Sequence, residues 1–275
     1  MARLHTLFVA VCIASIFALT PRDSAHAADV EVDVQLLLAV DVSRSMSARE
    51  LEIQRRGYAE ALVSEQVLRA IRSGLLGRVA LAYVEWAGPR SQRIIVDWTL
   101  VSTPADAQAF ASKISANFNP AMRRTSISGA LRYGTAFFQD NGFTSNRRVI
   151  DISGDGPNNQ GFPVLQARQK ALDEGFVING LPLMTREGLG ARFAIDNLDD
   201  YYRDCVIGGP GSFVIPVLEW TQFPEAVRQK LVLELAGTTP DESTVPVLKT
   251  KSRPPADCMI GEKIWMQFRD RFLEP

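Results

Sequence analysis

The chain has 275 residues, with 30 lysines and arginines against 31 aspartates and glutamates and 46% hydrophobic residues. That is enough for one sizeable core, and the balanced charge leaves no basic footprint for nucleic acid. Both histidines, His5 and His26, fall within residues 1–27. Once that segment is removed, neither a Ser-His-Asp or Cys-His triad nor a histidine-ligated zinc or haem site can form.

Residues 1–27 read as a signal peptide. Arg3 is a short basic start, Leu7 to Leu19 is mostly apolar, and Ala25-His26-Ala27 is an A-x-A cleavage signal. The expectation is cleavage after Ala27, secretion across an inner membrane and a periplasmic protein of roughly 250 residues. The apolar stretch is short for a membrane span, and no later stretch is long and apolar enough. Cys12 lies far from the cleavage signal and does not mark a lipoprotein anchor. Cys205 and Cys258 then remain, too few for a cysteine metal site. In an exported chain they point to a disulfide, with two free thiols as the alternative.

The stretch Val34 to Met46, VQLLLAVDVSRSM, organises the rest of the chain. Leu36 to Val40 reads as a buried strand. Asp41 ends it, and Ser43 and Ser45 come next at alternate positions. Their three oxygen groups are hard donors that suit Mg²⁺, Mn²⁺ or Ca²⁺; a plain turn into a helix is the alternative. Ser47-Ala48-Arg49-Glu50 is a capping box that opens a helix to Leu62. Ser64 caps a second piece, to about Ile71. Arg78 to Trp86 and Arg93 to Leu100 read as an antiparallel hairpin on one edge of the sheet, with Trp86 and Trp98 placed to lie across from each other.

Thr103 and Pro104 start a helix to about Asn117. After a loop, Thr125 precedes a helix that starts at Ser128-Gly129-Ala130-Leu131 and runs to about Gln139. Arg147 to Ser153 is a strand, followed by Gly154-Asp155-Gly156-Pro157-Asn158-Asn159. Pro163 to Glu174 is a helix stopped by Gly175, and Phe176 to Met184 a strand. Asn197 to Asp204 reads as a short helix, Phe213 to Val217 as a last short strand, and Pro224 to Ala236 as a last main helix. This alternation predicts an α/β fold: a doubly wound, mostly parallel sheet with one antiparallel edge strand and helices on both faces. The domain is expected over residues 28–236. Residues 237–275 form a C-terminal tail, with a helix over Ile260 to Phe272 packing back on the domain.

Strand C-termini of a parallel sheet share one edge, so the loops carrying Asp41, Ser43, Ser45, Thr125 and Asp155 can converge. At these residues the chain resembles the von Willebrand factor A-like domain family. Asp41-x-Ser43-x-Ser45 matches its D-x-S-x-S motif, Thr125 its single threonine and Asp155-Gly156 its later aspartate. The likeness covers about Val32 to Ala236 and, more narrowly, the chain looks like a bacterial exported branch of that family. It implies a metal-ion-dependent adhesion site. In that reading Ser43 and Ser45 ligate a divalent cation directly, and Thr125 does so directly or through water. Asp41 and Asp155 act largely through water and by hydrogen bonding the serines. Mg²⁺ is the cation that suits it best, with Mn²⁺ or Ca²⁺ as alternatives, and an acidic side chain of a protein partner completes the shell.

Pro157-Asn158-Asn159 reads as a turn or as the rim of the site, and Arg123-Arg124 as a solvated pair or as a selector of acidic partners. The functional expectation is an exported, divalent-cation-dependent protein-binding module rather than an enzyme. One alternative is a metal-dependent hydrolase of phosphate esters with Asp41 as nucleophile; Asp41-Val42-Ser43 lacks the second aspartate of the common aspartate-nucleophile phosphatases. The other is a structural domain with a non-functional site. Ser126 and Ser128 lack both a histidine and a G-x-S-x-G elbow, so neither reads as a nucleophile. N-terminal sequencing of the exported protein should begin at Ala28; an intact Met1 would reject the export reading.

Overall fold

The computed structural model describes residues 28–116, 120–185, 194–236 and 254–272. The expected signal peptide, residues 1–27, and the tail segment 237–253 lie outside the described residues. A two-residue strand, β1 (Val30–Glu31), leads into β2 (Gln35–Asp41), in which every residue is buried. Such a strand needs partners on both edges and cover on both faces. It has both, at the centre of a five-stranded sheet of order β4-β3-β2-β6-β7.

In chain order, α1 (Ala48–Leu62) and α2 (Glu65–Arg72) follow β2, each capped by the serine before it. Ser47 and Glu50 form the full capping box. The hairpin of β3 (Val79–Trp86) and β4 (Gln92–Val101) pairs antiparallel at the edge. Next come α3 (Pro104–Ala116), α4 (Ile127–Phe137), β5 (Phe143–Thr144), β6 (Arg148–Gly154), α5 (Val164–Asp173) and β7 (Val177–Pro182). A short α6 (Leu198–Tyr201) runs into one wide turn, Tyr202–Val206; α7 (Phe223–Leu235) and α8 (Ile260–Phe272) complete the order. Strands β3, β2, β6 and β7 are mutually parallel, which gives the doubly wound, mostly parallel α/β sheet expected.

Alternation along β2 divides the core. Leu36, Leu38 and Val40 pack with buried residues of α1, α2, α3 and α7, whereas Leu37 and Ala39 pack with those of α4, α5 and α6. The first layer also encloses charge. Asp151 in β6 lies 2.7 Å from Lys230 Nζ of α7, and Lys230 also pairs with Glu234, all within 1% of full burial. Glu234 accepts from Asn179 Nδ2 of β7 at 3.0 Å. Burial pushes the Asp151 carboxyl up to about 7, and Lys230 opposes that rise. These contacts pin α7 to β6 and β7, on one side of β2.

Two expectations are corrected, and one unexpected pairing is added. Phe213 to Val217 is not a strand but two isolated bridges to β7, Gly180 with Val214 and Leu183 with Val217. Pro182 and Pro216 have no N–H to give, so no continuous ladder forms. Trp86 does not lie across from Trp98: it opposes Gln92, and the register shifts ahead of Trp98. Trp98 instead donates from Nε1 to Phe137 O at 2.8 Å and packs edge-on against Phe138. Finally, β1 and β5 pair in a separate two-stranded ribbon, too short to leave a periodic pattern in the sequence.

Among the described residues no helix is long and apolar enough to cross a membrane. A disulfide joins Cys205, beyond α6, to Cys258, just ahead of α8, across 53 positions. Closing so long a loop removes unfolded-state entropy worth about 4 kcal/mol. Replacing both cysteines by serine should lower unfolding free energy by up to about that amount, measured by urea denaturation; an unchanged midpoint would show that the tether does not stabilise the fold.

Candidate metal centre

Parallel pairing of β2 with β6 sets Val40 beside Ser153, so the two strands end together and Asp41 and the Gly154-Asp155 turn emerge side by side. Asp41 is fully buried. Its Oδ1 accepts from Ser43 N at 2.7 Å, which curls the chain back so that Ser43 and Ser45 share one side of the turn. The hydroxyls of Ser43 and Ser45 lie 2.8 Å apart, and Ser45 Oγ donates to Asp155 Oδ1 at 2.8 Å. Gln54 Nε2 of α1 holds Asp41 O at 3.1 Å. The first loop is thus hydrogen-bonded to the third.

Thr125 arrives by a different route. Met122 N donates to Val42 O at 2.8 Å, laying the Met122–Thr125 segment beside the first loop. Asn159 then locks it to the third: its N donates to Thr125 O at 3.0 Å and its Oδ1 accepts from Thr125 N at 3.1 Å. Asn158 Oδ1 accepts from Ser128 N at 2.9 Å at the start of α4. Ser126 is the N-cap of α4, accepting from Gly129 N; Ser126 and Ser128 are both buried. Thr125, Ser43, Ser45 and Asp155 all line one cleft of about 240 Å³, with Asp41 behind them. The five sequence-derived positions therefore converge, although they come from three loops.

Two carboxylates held this close and away from water resist ionisation. Burial raises Asp41 well above the usual carboxylate range, and Asp155 adds to the rise. Asp155 is pushed up to about 6, chiefly by burial, against the hydrogen bond from Ser45. Asp41 Oδ2 is buried and has no hydrogen-bond partner among the described residues. Gly154 keeps the approach to it open, since a Cβ there would lie 3.0 Å from Asp41 Oδ2 and from Tyr202 Oη. An orphaned, buried carboxylate oxygen beside hydroxyl donors fits a hard cation. No cluster of three His, Cys, Asp or Glu occurs among the described residues. The donor set is therefore mostly neutral, and a divalent ion held there would keep uncancelled charge.

The cleft has parts that spacing along the chain did not disclose. Trp265 of α8 forms a wall of it, together with Arg44, Arg123, Arg124 and Pro157. The Arg124 guanidinium stacks on the Trp265 ring at 4.4 Å. With its amide oriented to satisfy its neighbours, Gln160 Oε1 accepts from Trp265 Nε1 at 2.8 Å and from Arg124 Nη1 at 2.9 Å. Glu262 of α8 accepts from Asn158 Nδ2 at 2.6 Å. Asn159 stands on the cleft wall, whereas Asn158 is fully buried behind it. Local pattern reveals none of this, because α8 reaches the site through tertiary contacts with Asn158, Gln160 and Arg124 and through the disulfide to Cys205.

Residues 31–239 match the family described as protein of unknown function (DUF1194). The chain belongs to that family. No curated protein matches it in sequence. Among solved structures it is similar to proximal thread matrix protein 1 from the mussel byssus, at 14% identity and a TM-score of 0.55, over 77% of this chain and 50% of that one. It is also similar to the pilus adhesin SpaC from Lactobacillus rhamnosus GG (12% identity, TM-score 0.53, 76% of this chain and 32% of that one). A von Willebrand factor type A structure from Catenulispora acidiphila matches at 12% identity and a TM-score of 0.52, over 74% of this chain and 43% of that one. This DUF1194 chain spans half or less of each of these proteins. At such identities the likeness is one of fold, and the fold is that of von Willebrand factor A domains.

Because the folded-state pKa of Asp155 lies above its unfolded value, that carboxylate destabilises the cation-free fold as pH rises through about 6. Asp155→Asn should therefore raise the Tm of chelator-treated protein at pH 7.5, and raise it less at pH 4.5, where the wild-type group is largely protonated. Equal shifts at both pH values in thermal melts would count against this origin.

Proposed function

We propose that this protein is an exported, divalent-cation-dependent protein-binding module that uses a metal-ion-dependent adhesion site. Residues 1–27 are its signal peptide, the periplasm its location, residues 28–236 its binding domain and residues 237–275 its tail. The observation that carries the reading is the linked set Asp41, Ser43, Ser45 and Asp155, with Thr125 on the same cleft and a buried Asp41 oxygen left without a partner. The hydroxyls of Ser43, Ser45 and Thr125 would face the cation. Asp41 and Asp155 would act largely through water, fixing the serines and supplying negative charge.

Mg²⁺ suits this donor set, because it retains exchangeable water positions. Bound there, it offers an open position to a carboxylate of a protein partner. One of the similar folds belongs to a pilus adhesin, a use of the fold consistent with this reading. Binding is favoured over hydrolysis by the hydroxyl-rich donor set and the absence of histidine after residue 27.

Calorimetric titration with Mg²⁺, Mn²⁺ and Ca²⁺ should give one-to-one binding. The Asp41→Ala/Ser43→Ala variant should weaken it at least about a hundredfold, near 3 kcal/mol. Equal affinity in the variant would place the cation elsewhere. Mg²⁺-dependent turnover of generic phosphate esters, lost in Asp41→Ala, would replace the binding reading with a hydrolytic one.

A further inference from the structure

The cleft carries more positive charge than a single metal-bound carboxylate would use. Arg44, Arg123 and Arg124 all line it, and all three are exposed. None has a carboxylate partner among the described residues; Arg124 is held by the Trp265 ring and Gln160. Arg124 also has a positive φ of 75°, an unusual backbone state for a residue with a side chain. The stack on Trp265 and the bond to Gln160 hold its guanidinium at the cleft despite that cost.

The opposing charges nearest the ligand hydroxyls are Asp41, Asp155 and Glu50, whose field also reaches Asp155; Glu262 is engaged behind the wall by Asn158. Glu50 is further engaged by Ser47 N and by Trp220 Nε1. With a divalent cation bound and the aspartates ionised by it, three carboxylates set against three guanidiniums and the ion leave the region doubly positive. A lone carboxylate on the metal cancels half of that. Guanidinium groups pair with carboxylates through two parallel hydrogen bonds and do so well at half-exposed positions.

Resting on the cation-binding reading above, we propose that the arginine-lined part of the cleft is a second subsite. It takes a second carboxylate of the same ligand, so that the partner presents an acidic peptide segment with two neighbouring Asp or Glu side chains. The wall supplied by Trp265 and Pro157 packs against carbon, which a peptide carries between its two acidic groups and an isolated anion does not. Trp265 thereby contributes to ligand choice from α8, outside the family-matched residues.

Blocked peptides test this by calorimetry on the Mg²⁺-loaded protein with α8 and its disulfide intact. The probes are Gly-Gly-Asp-Gly-Gly, Gly-Asp-Asp-Gly-Gly and Gly-Asp-Gly-Asp-Gly. One of the two-acid peptides should bind at least about tenfold tighter than the one-acid peptide. Arg44→Gln/Arg123→Gln should bring that affinity down to the one-acid value, with Mg²⁺ titration of the same variant checking that the metal site persists. Equal affinities for all three peptides, an advantage that survives in the variant, or loss of every peptide with Mg²⁺ still bound would each overturn the second subsite. Inorganic phosphate binding as tightly as the best peptide, with the same arginine dependence, would overturn the peptide assignment in favour of phosphorylated ligands. If Mg²⁺ binds but no peptide does, the acidic-partner reading falls together with this one.

Discussion

Two carboxylates that the topology forces together dominate this molecule. Asp41 ends the central strand and Asp155 follows the strand beside it, and the parallel pairing of β2 with β6 brings their ends to one place. Buried charge of one sign is costly unless something positive joins it. Asp41 is satisfied on one oxygen by Ser43 N and unsatisfied on the other. A stability-minded design would have placed an asparagine or a leucine there. Retaining the pair makes sense for a site whose occupant brings the compensating charge.

The surroundings act to keep that pair from relaxing apart. Asn159 makes two hydrogen bonds to the backbone of Thr125, and Asn158 reaches Ser128, Phe162 and Glu262 at once. Beneath them, the sheet is locked by ionic contacts that avoid the cleft: Lys230 with Asp151 and Glu234 on one side, and Glu85 held by Arg55 and Arg93 on the other. Each buried acid in those clusters has its cation built in. Asp41 and Asp155 do not, and that contrast separates a structural ion pair from a candidate ligand set.

Much of this was legible in the sequence, for identifiable reasons. A wholly apolar run that stops at an aspartate locates the central strand and the site edge together, because buried parallel strands leave no alternation to misread. Ser47 and Glu50 announce α1 by a reciprocal cap that depends only on local chain. Where sequence reading fell short, the deciding forces were tertiary. Phe213 to Val217 has strand composition, but prolines on both paired segments interrupt its pairing. The tight hairpin turn sets Trp86 opposite Gln92, which leaves Trp98 six positions further along its strand. Trp265 belongs to the cleft only because a distant helix is brought back to it.

That returning helix bears on what counts as the domain. The family match ends at residue 239, while a wall of the cleft comes from residue 265. The Cys205–Cys258 bond anchors the chain two residues before α8 begins, a far shorter tether than the backbone alone, so even weak packing by the helix is sustained by a raised effective concentration. The outline of this cleft is therefore written partly in a segment that sequence matching leaves out. A fragment trimmed to the matched boundary would keep the candidate ligand set yet present it on an open ledge, with one side of the cleft missing.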